Sequence, residues 1–485
     1  MKYIYLPLDD RPCTMDFPVQ LASAAGMDVT VPGDLAGKHF KNAYPFERAE
    51  RFLEEHAEND ACLILAVDAW CYGGLLQSRS MGSTDAQTAM DRLNRLRMLK
   101  ARFPGMQIHA FSVIMRASIS TLSQADLVHY HNMTLFCQLS HKARVTGSEE
   151  DIRALEEVKA QLPKELVDHY LSVRERNHRV NLCCVEMAKA GVFDSLMLLQ
   201  EDAQVYGLHR LEQEKLLEKA AGCERIFLHN GADEGGVAAL MTAIAKEKGL
   251  MPRVQTVYLR GDDGQFVARY EDRLFCDNLK SYMRYAGMEN ADDAEHVLFI
   301  LSPDWRGQRD MTDDIDETDD GAARRRFAMH MAEAANEGKK CYLLDLTLAN
   351  GGLPGILQAV DDTMGMEKLW GYSAWNTTCN ALGTILAQML SDMLSGSRNE
   401  SFLWERVLDD CLYEGVMRVR LRKAVASLGE DPMSMTDRDK GSQMLENIAR
   451  EEMEKHPFIR RMPCAARYSL PWPRVFECRV NCGVK

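Results

Sequence analysis

The amino-acid sequence predicts an α/β fold, most simply a TIM-like (β/α)8 barrel, and three observations support this prediction. Short apolar runs recur along the chain, segments with a helical period lie between them, and polar residues follow most of the runs. Strands that alternate with helices indicate a parallel sheet covered on both faces. Eight such units would close into a barrel. Open, doubly wound parallel sheets are the alternative, because periodicity alone does not decide closure.

Apolar runs define the predicted strands, and amphipathic segments define the predicted helices between them. The strands span residues 3–8, 62–67, 108–113, 195–199, 225–229, 254–259, 297–301 and 341–346. The clearest helices span residues 47–56, 86–102, 149–190 and 322–337, the third of them broken near Pro163.

The pattern changes beyond about residue 395. Charged amphipathic helices take over there, and the chain finishes with a strand-like segment. We therefore predict a (β/α)8-type catalytic domain over residues 1–394. A C-terminal helical cap that ends in a short strand would occupy residues 395–485.

The composition limits the classes of partner. The chain has 485 residues, of which 46% are hydrophobic and 27% charged, as in ordinary globular proteins. Its net charge of −14 argues against nucleic acid or an anionic membrane, because both require a basic face. A small carbohydrate, a peptide or a cation remains open as a ligand. The sequence does not determine whether the chain forms a homo-oligomer.

Cysteine usage and the absence of targeting patterns indicate a cytoplasmic protein. The fourteen cysteines are scattered without the CxxC or zinc-type spacing of a metal site. No signal peptide pattern opens the sequence, and no apolar run is long enough to span a bilayer. Neither G-x-G-x-x-G after a strand, nor a Walker loop, nor G-x-S-x-G, nor H-E-x-x-H occurs. We therefore predict no cofactor and no resident metal.

Polar residues follow the predicted strands at one end of the sheet, where the catalytic groups of such folds lie. They are Asp9, Asp10 and Arg11 after the first strand, Asp68 and Trp70 after the second, Arg116 after the third, Glu201 and Asp202 after the fourth, His229, Asp233 and Glu234 after the fifth, Arg260, Asp262 and Asp263 after the sixth, Asp304 and Trp305 after the seventh, and Asp345 and Asn350 after the eighth. Charged groups at the same end of strand after strand favour an enzyme or a polar-ligand site.

Two pairs of adjacent carboxylates are candidates for acid–base catalysis. Asp233 and Glu234 lie on a glycine-rich turn between a strand and a helix, and Glu201 and Asp202 follow another strand. Like charges a few ångströms apart raise one pKa, which suits a general acid beside a carboxylate that stays ionised. Helix capping is the alternative for both pairs, because acids are stabilised near a helix N-terminus. The sequence does not decide which pair is catalytic.

Other candidates are suited to binding a sugar. Arg11 beside Asp10 could hold two hydroxyls or a carboxylate, or could simply form a local ion pair. Trp375 could stack on a pyranose while Asn376 bonds its hydroxyls or an acetamido group. A core tryptophan and a helix cap are the alternative for these two. The segment 68–74, with Trp70 and Tyr72, is open to the same two interpretations. The acidic stretch 310–320 lacks the spacing of a calcium loop and is predicted as a solvated loop.

Several phrases together resemble the bacterial domain-of-unknown-function family 4127 over most of the chain. They lie at residues 6–12, 72–74, 200–202, 206–207, 231–234, 375–377 and Asn380. In that family the pair after the fourth strand is Asp-Asp, whereas this chain has Glu201 and Asp202. The family name implies no activity.

Shorter phrases resemble β-N-acetylhexosaminidases. His-Asn-Gly-Ala-Asp-Glu at residues 229–234 is similar to the His-x-Gly-Gly-Asp-Glu phrase on the catalytic strand of glycoside hydrolase family 20. That family's first strand carries Asp-x-x-Arg, whereas Asp10 and Arg11 are adjacent here. Tyr-Ser-Ala-Trp-Asn at residues 372–376 resembles the Tyr-Ala-Trp-Asn strand end of family 84.

These likenesses imply a glycosidase that removes terminal β-linked N-acetylhexosamine, GlcNAc or GalNAc, by a substrate-assisted retaining mechanism. Asp233 would orient the acetamido group, and Glu234 would protonate the leaving oxygen and later activate water. The sugar-binding residues would be Asp10, Arg11, Asp68, Trp70, Tyr72, His229, Trp375 and Asn376, with Glu201 and Asp202 either binding the sugar or exchanging roles with the later pair.

Two alternatives from other classes stay open. One is a non-catalytic protein that binds a polar metabolite through its strand-end carboxylates. The other is a divalent-metal-dependent hydrolase with Asp9, Asp68, Asp202 and Asp233 as oxygen ligands.

Overall fold

Most of the strands belong to two parallel sheets, one in each of two compact units. The computed structural model describes residues 1–35, 40–82, 84–259, 261, 263–304, 307–310 and 321–484. The first unit comprises Met1–Val19, Met27–Ala243 and Tyr270–Arg273, and the second comprises Gln20–Gly26, Ile244–Arg269 and Leu274–Lys485.

The first unit contains a six-stranded sheet. Its strands are β1 (Lys2–Leu6), β2 (Val29–Thr30), β3 (Ala61–Ala66), β4 (Gln107–Ile114), β5 (Ser195–Gln200) and β6 (Ile226–Asn230). The order is β2-β1-β3-β4-β5-β6, and all neighbours run parallel. β3, β5 and β6 are buried along their whole length, as expected for a parallel sheet covered on both faces.

The second unit contains a five-stranded parallel sheet and two small sheets. Its strands are β7 (Arg253–Tyr258), β8 (Glu289–Asn290), β9 (His296–Leu301), β10 (Arg309–Asp310), β11 (Lys340–Asp345), β12 (Leu348–Ala349), β13 (Leu369–Ser373), β14 (Cys464–Ser469) and β15 (Arg479–Val484). The large sheet has the order β13-β11-β9-β7-β8. β10 pairs with β12 in parallel, and β14 with β15 antiparallel.

Helices connect most of the strands. They are α1 (Pro12–Ala24), α2 (Phe46–His56), α3 (Val67–Tyr72), α4 (Leu75–Ser78), α5 (Ala86–Arg102), α6 (Leu127–Thr146), α7 (Glu149–Ala160), α8 (Lys164–Lys189), α9 (Leu208–Ala220), α10 (Gly235–Glu247), α11 (Phe275–Ala286), α12 (Gly321–Asn336), α13 (Pro354–Thr363), α14 (Thr378–Ser395), α15 (Glu400–Arg406), α16 (Arg418–Ser427) and α17 (Arg438–Met453). Short 3₁₀ turns lie at Gln124–Asp126, Met366–Lys368 and Pro457–Arg461, and a π-helical segment, Val407–Met417, joins α15 to α16. Within the described part of the chain, no helix combines the length and the apolar character needed to cross a membrane.

The α/β class is confirmed, whereas a closed eight-stranded barrel is not. All eight predicted strands are present, as β1, β3, β4, β5, β6, β7, β9 and β11. In the described ranges, however, β6 is an edge strand of the first sheet, and β7 pairs with β8 and β9 in a second sheet. The eight strands therefore do not form one closed ring. The open parallel sheets given as the alternative agree with this topology. The predicted break near Pro163 separates α7 from α8.

The C-terminal residues 395–485 belong to the second unit. They form α15, the π-helical segment, α16, α17 and the β14–β15 pair. Buried side chains of the π-helical segment and α15, such as Leu408 and Trp404, pack in the same core as Leu343 of β11. The domain boundary at residue 395 stays a prediction.

Candidate functional site

Arg11 links the end of the first strand to the end of the sixth. It lies between β1 and α1, and its Nη1 and Nη2 donate to Asp233 Oδ2 and Oδ1 at 3.0 and 2.6 Å. Its Nε and Nη2 also donate to the Asp9 carboxylate, at 3.0 Å to Oδ1 and 2.8 Å to Oδ2. The three side chains are no more than 6% exposed. A guanidinium is thus held by a carboxylate on each side.

This contact brings distant strands together. β1 and β6 are four strand spacings apart in the sheet, which corresponds to about 19 Å in a flat sheet. The loop after β6 and the start of α10 must therefore reach back across the sheet. The ends of β1 and β6 therefore meet at the Arg11–Asp233 ion pair.

Two glycines permit the close approach of α10. A Cβ on Gly235 would lie 2.5 Å from Leu199 Cδ1 and 2.7 Å from Phe111 Cδ2. A Cβ on Gly236 would lie 2.0 Å from the Tyr5 hydroxyl oxygen. Side chains of β1, β4 and β5 therefore meet at the first turn of α10, which leaves room only for backbone there.

Two further ion pairs extend the cluster. Arg79, just after α4, pairs with Glu201, and Arg116, just after β4, pairs with Asp202. Arg79 Nη1 also donates to Ser120 Oγ at 3.2 Å. Asp202 has a φ of +22°, a conformation that costs energy in a residue other than glycine and often occurs at functional sites. Its side chain is 24% exposed, which makes it more accessible than Asp9, Glu201 or Asp233. We refer to Asp9, Arg11, Arg79, Arg116, Glu201, Asp202, Asp233 and Glu234 as the strand-end cluster.

The electrostatics of the strand-end cluster follow from burial and pairing. Burial alone would raise the pKa of the Asp9 carboxyl, but the Arg11 guanidinium holds that pKa below its usual range. Burial disfavours the charged form of Arg11, yet Asp233 and Asp9 raise its pKa well above the ordinary value. Burial, with the nearby Arg116, lowers the pKa of Arg79 to about 9. Arg116, Asp202, Arg11 and Asp233 are all electrostatic neighbours of Arg79, which places these ion pairs in one cluster.

The adjacent residues Asp233 and Glu234 have different hydrogen-bond donors. Asp233 accepts from the Arg11 guanidinium, whereas Glu234 Oε2 accepts from the backbone N–H of Ala232 at 3.0 Å. Glu234 is fully buried. Both residues directly precede α10, so the capping interpretation and the acid–base interpretation apply to the same turn.

The structure places the other first-unit candidates in or around the sheet ends. Asp10 and His229 are buried at the ends of β1 and β6. Asp68 Oδ2 accepts from Val113 N at 2.9 Å and fastens the end of β3 to β4, and burial raises its pKa to about 6. Trp70 Nε1 donates to the Arg92 carbonyl at 2.8 Å, and the Tyr72 ring packs against the Arg176 guanidinium. Asp68, Trp70 and Tyr72 therefore have structural contacts that stabilise segments near the cluster.

Trp375 and Asn376 belong to the second unit. The Trp375 indole N–H donates to Thr384 Oγ1 at 3.2 Å, and the side chain is buried. Asn376 has a φ of +53°, and its carbonyl accepts from Asn350 N at 2.7 Å. The cap of α14 is Thr377, which forms a capping box with Asn380, so Asn376 is not the N-cap considered from the sequence.

Some sequence-based candidates lie outside the described residues. They are Arg260, Asp262, Trp305 and most of the acidic stretch, residues 311–320. Asp310, at the start of that stretch, accepts from Asn350 Nδ2 at 2.8 Å. Within the described ranges, no group of three or more His, Cys, Asp or Glu side chains is placed to hold a metal ion.

Sequence reasoning missed Arg79 and the two arginines that support its surroundings. Arg176 and Arg174 on α8 are 2% and 3% exposed. Arg176 donates to the carbonyls of Ser78, Ser80 and Thr84 at 2.5, 2.8 and 2.9 Å, and Arg174 donates to those of Met115 and Arg116 at 3.1 and 2.7 Å. The helical pattern of α8 carries Arg174 and Arg176, and this was the signal that could have been used. A buried charge requires a specific partner, so these arginines could have pointed to polar contacts with a neighbouring loop.

The chain matches the family model described as "Protein of unknown function (DUF4127)" over residues 3–481. It belongs to this family. The resemblance seen in the phrases around the strand ends is thereby confirmed over nearly the whole chain. No curated protein and no solved structure matches it.

Proposed function

We propose that this protein is a glycoside hydrolase that removes terminal β-linked N-acetylhexosamine, GlcNAc or GalNAc, by a substrate-assisted retaining mechanism. The observation that carries the proposal is the Arg11–Asp233 ion pair, which gathers the carboxylates of distant strand ends into one cluster. Glycosidases need carboxylates near one glycosidic bond, one to donate a proton and one to stabilise or assist the reaction.

The different surroundings of Asp233 and Glu234 support separate roles. In the proposed mechanism Asp233 is the ionised carboxylate, which orients the acetamido group so that its carbonyl oxygen attacks the anomeric carbon. Arg11 holds both oxygens of Asp233 and fixes its orientation. Glu234 carries the proton to the leaving oxygen and then takes one from water.

Asp202 and Glu201 are assigned to sugar binding. Asp202 is the accessible member of the cluster and can accept from ring hydroxyls. Arg11 has its guanidinium between Asp9 and Asp233, so we assign it to positioning Asp233 rather than to holding hydroxyls. We also propose that the enzyme works on small sugar fragments in the cytoplasm. Its fourteen cysteines, all in the described ranges, are free thiols, as is usual in a reducing compartment.

A panel of nitrophenyl glycosides tests the proposed activity. We expect hydrolysis of the β-GlcNAc or β-GalNAc substrate, with inhibition by the matching thiazoline, which resembles the intermediate of substrate assistance. Hydrolysis of neither substrate, together with no binding of the thiazoline, would contradict the proposal.

The Glu234→Gln variant separates an enzyme from a non-catalytic binder of polar metabolites. General acid catalysis contributes a factor of about 10² to 10⁴, so we expect turnover to fall by about a thousandfold while the thiazoline still binds. Asp392→Asn in the second unit is the matched control, since it replaces a buried carboxyl outside the strand-end cluster. Equal activity of Glu234→Gln and wild type would remove Glu234 from the mechanism.

A further inference from the structure

Three buried polar atoms of the strand-end cluster lack a hydrogen-bond partner among the described residues. They are Nε of Arg79, Nε of Arg116 and Oε2 of Glu201. The side chains of Arg79 and Glu201 are each 8% exposed. Buried polar groups are nearly always satisfied in folded proteins, and leaving them unpaired costs stability. Two donors and one acceptor left in this state indicate a ligand with complementary groups.

The two arginines are held close to each other although their charges repel. Arg116 lowers the pKa of Arg79, in addition to the larger effect of burial. Each guanidinium has one carboxylate partner, and both partners are consecutive residues of one loop, Glu201 and Asp202. An added anion would relieve the repulsion and satisfy the unpaired N–H groups.

Side chains of helix α8 hold the backbone around Arg79 and Arg116 in place. Arg176 holds the carbonyls on either side of Arg79, at Ser78 and Ser80, while Arg174 holds the carbonyl of Arg116 itself. Asn177 Nδ2 adds a bond to the Ser78 carbonyl at 2.8 Å. Such rigid support is typical of side chains that must meet a ligand in one geometry.

The unpaired acceptor narrows the class of ligand. A simple oxyanion would satisfy Arg79 and Arg116 but would be repelled by Glu201. A molecule with both an oxyanion and a hydroxyl satisfies all three atoms. The partly exposed Asp202 marks the side from which it would enter.

We propose that Arg79 and Arg116 form an anion subsite that binds the carboxylate or phosphate of an acidic N-acetylhexosamine, while Glu201 accepts one of its hydroxyls. This inference rests on the proposed function and names the substrate class more narrowly. Arginine suits the role because its planar fork matches the oxygens of both anions.

Calorimetric titration of the whole 485-residue chain tests the subsite without requiring turnover. The probes are N-acetylglucosamine, its 6-phosphate, and N-acetylmuramic acid, which carries a carboxylate. We expect at least one acidic sugar to bind about tenfold tighter than the neutral sugar, the effect of one added charge-assisted bond. Comparison of the two acids identifies the anion. Equal affinity of all three sugars would overturn the subsite.

Substitutions of Arg79 and Arg116 test whether these two residues cause the preference for acidic sugars. Arg79→Gln and Arg116→Gln should each remove the preference for the acidic sugar over N-acetylglucosamine. Arg95→Gln, which removes an exposed guanidinium of the same unit, is the control and should keep the preference. Retention of the preference in both cluster variants would contradict the assignment. If a variant does not fold, the wild-type comparison of the three sugars still decides.

Failure of the subsite and failure of the proposed function give different results. Hydrolysis of neutral nitrophenyl substrates without any preference for acidic sugars would leave the glycosidase and overturn the subsite. Preferential binding of the acidic sugars, without hydrolysis of any glycoside, would support the subsite and contradict the glycosidase.

Discussion

The acids at the strand ends of the two units differ in their partners. In the first unit, Asp233, Glu201 and Asp202 pair with arginines that come from other loops. In the second unit, Asp345, the last residue of β11, accepts from the backbone N–H groups of Thr347 and Leu353.

The difference separates a candidate site from structural fasteners. Asp345 fixes the loop after β11 through these backbone amides, and burial raises the pKa of its carboxyl above its usual value. Asp68 belongs to the first unit but holds Val113 N, and its pKa is also raised. The position at a strand end therefore does not distinguish these acids, whereas an arginine partner sets Asp233, Glu201 and Asp202 apart from Asp68 and Asp345. Glu234, which accepts from a backbone N–H, enters the proposed site through its place beside Asp233.

The largest expected effect concerns Arg11. Replacing it by Gln would leave Asp9 and Asp233 buried without their cation, which costs about 3–5 kcal/mol for a broken buried pair. Arg95→Gln breaks an exposed pair with Glu50 and should cost less than about 1 kcal/mol. Urea unfolding measures both changes. Similar losses of unfolding free energy in the two variants would contradict the buried ion pairs of Arg11 with Asp9 and Asp233.

The sequence was sufficient to locate the strand ends but not the partners of their acids. Apolar runs identify β5 and β6, and hence Asp202 and Asp233, because burial in a parallel sheet requires continuous apolar residues. Arg79 lies in a short irregular segment. Arg176, which supports that segment through the Ser78 carbonyl, lies 98 residues after Ser78 in the chain. Open sheets were foreseen only as the alternative to a barrel, since pairing between strands distant in sequence depends on tertiary contacts that periodicity does not encode.

The convergence of strands in the first unit can be tested at Gly236. A Cβ there would collide with the Tyr5 ring, so Gly236→Ala should destabilise the protein by about 1–3 kcal/mol through overpacking. Because the nearest atom is the hydroxyl oxygen, Tyr5→Phe should reduce this loss in the double variant. A double-mutant cycle from chemical unfolding measures the coupling. Additive losses would show that α10 and β1 do not meet as described.

Asp392, whose pKa is raised, and Asp9, whose pKa is lowered, should change the stability with pH in opposite directions. Burial raises the pKa of Asp392 to about 7, so between about pH 4 and 7 the folded state binds a proton that the unfolded state lacks, and stability falls as pH rises. The pKa of Asp9 is lowered, so its contribution is present at neutral pH and is lost as the pH falls below about 4.

Asp392→Asn isolates the first of these contributions. Asn can still accept from Asn399 N and meet the Tyr342 hydroxyl, the two partners of Asp392. Between pH 5 and 8 we expect the unfolding free energy of wild type to fall more than that of the variant, by on the order of 2 kcal/mol. Unfolding free energies measured at several pH values provide the comparison. Parallel curves for the two proteins would contradict a raised pKa at this position.

The smallest expected effect concerns Trp375, whose buried indole N–H donates to Thr384 in the second unit. Trp375→Phe should cost about 1 kcal/mol, the usual net value of one hydrogen bond. Thr384→Val should cost more, because Thr384 Oγ1 also donates to the Asn380 carbonyl at 2.8 Å. The double variant should lose less than the sum, because both single changes remove the same bond. A change in the KM for a nitrophenyl substrate, with the unfolding free energy unaltered, would contradict this structural role and return Trp375 to the set of sugar-binding candidates.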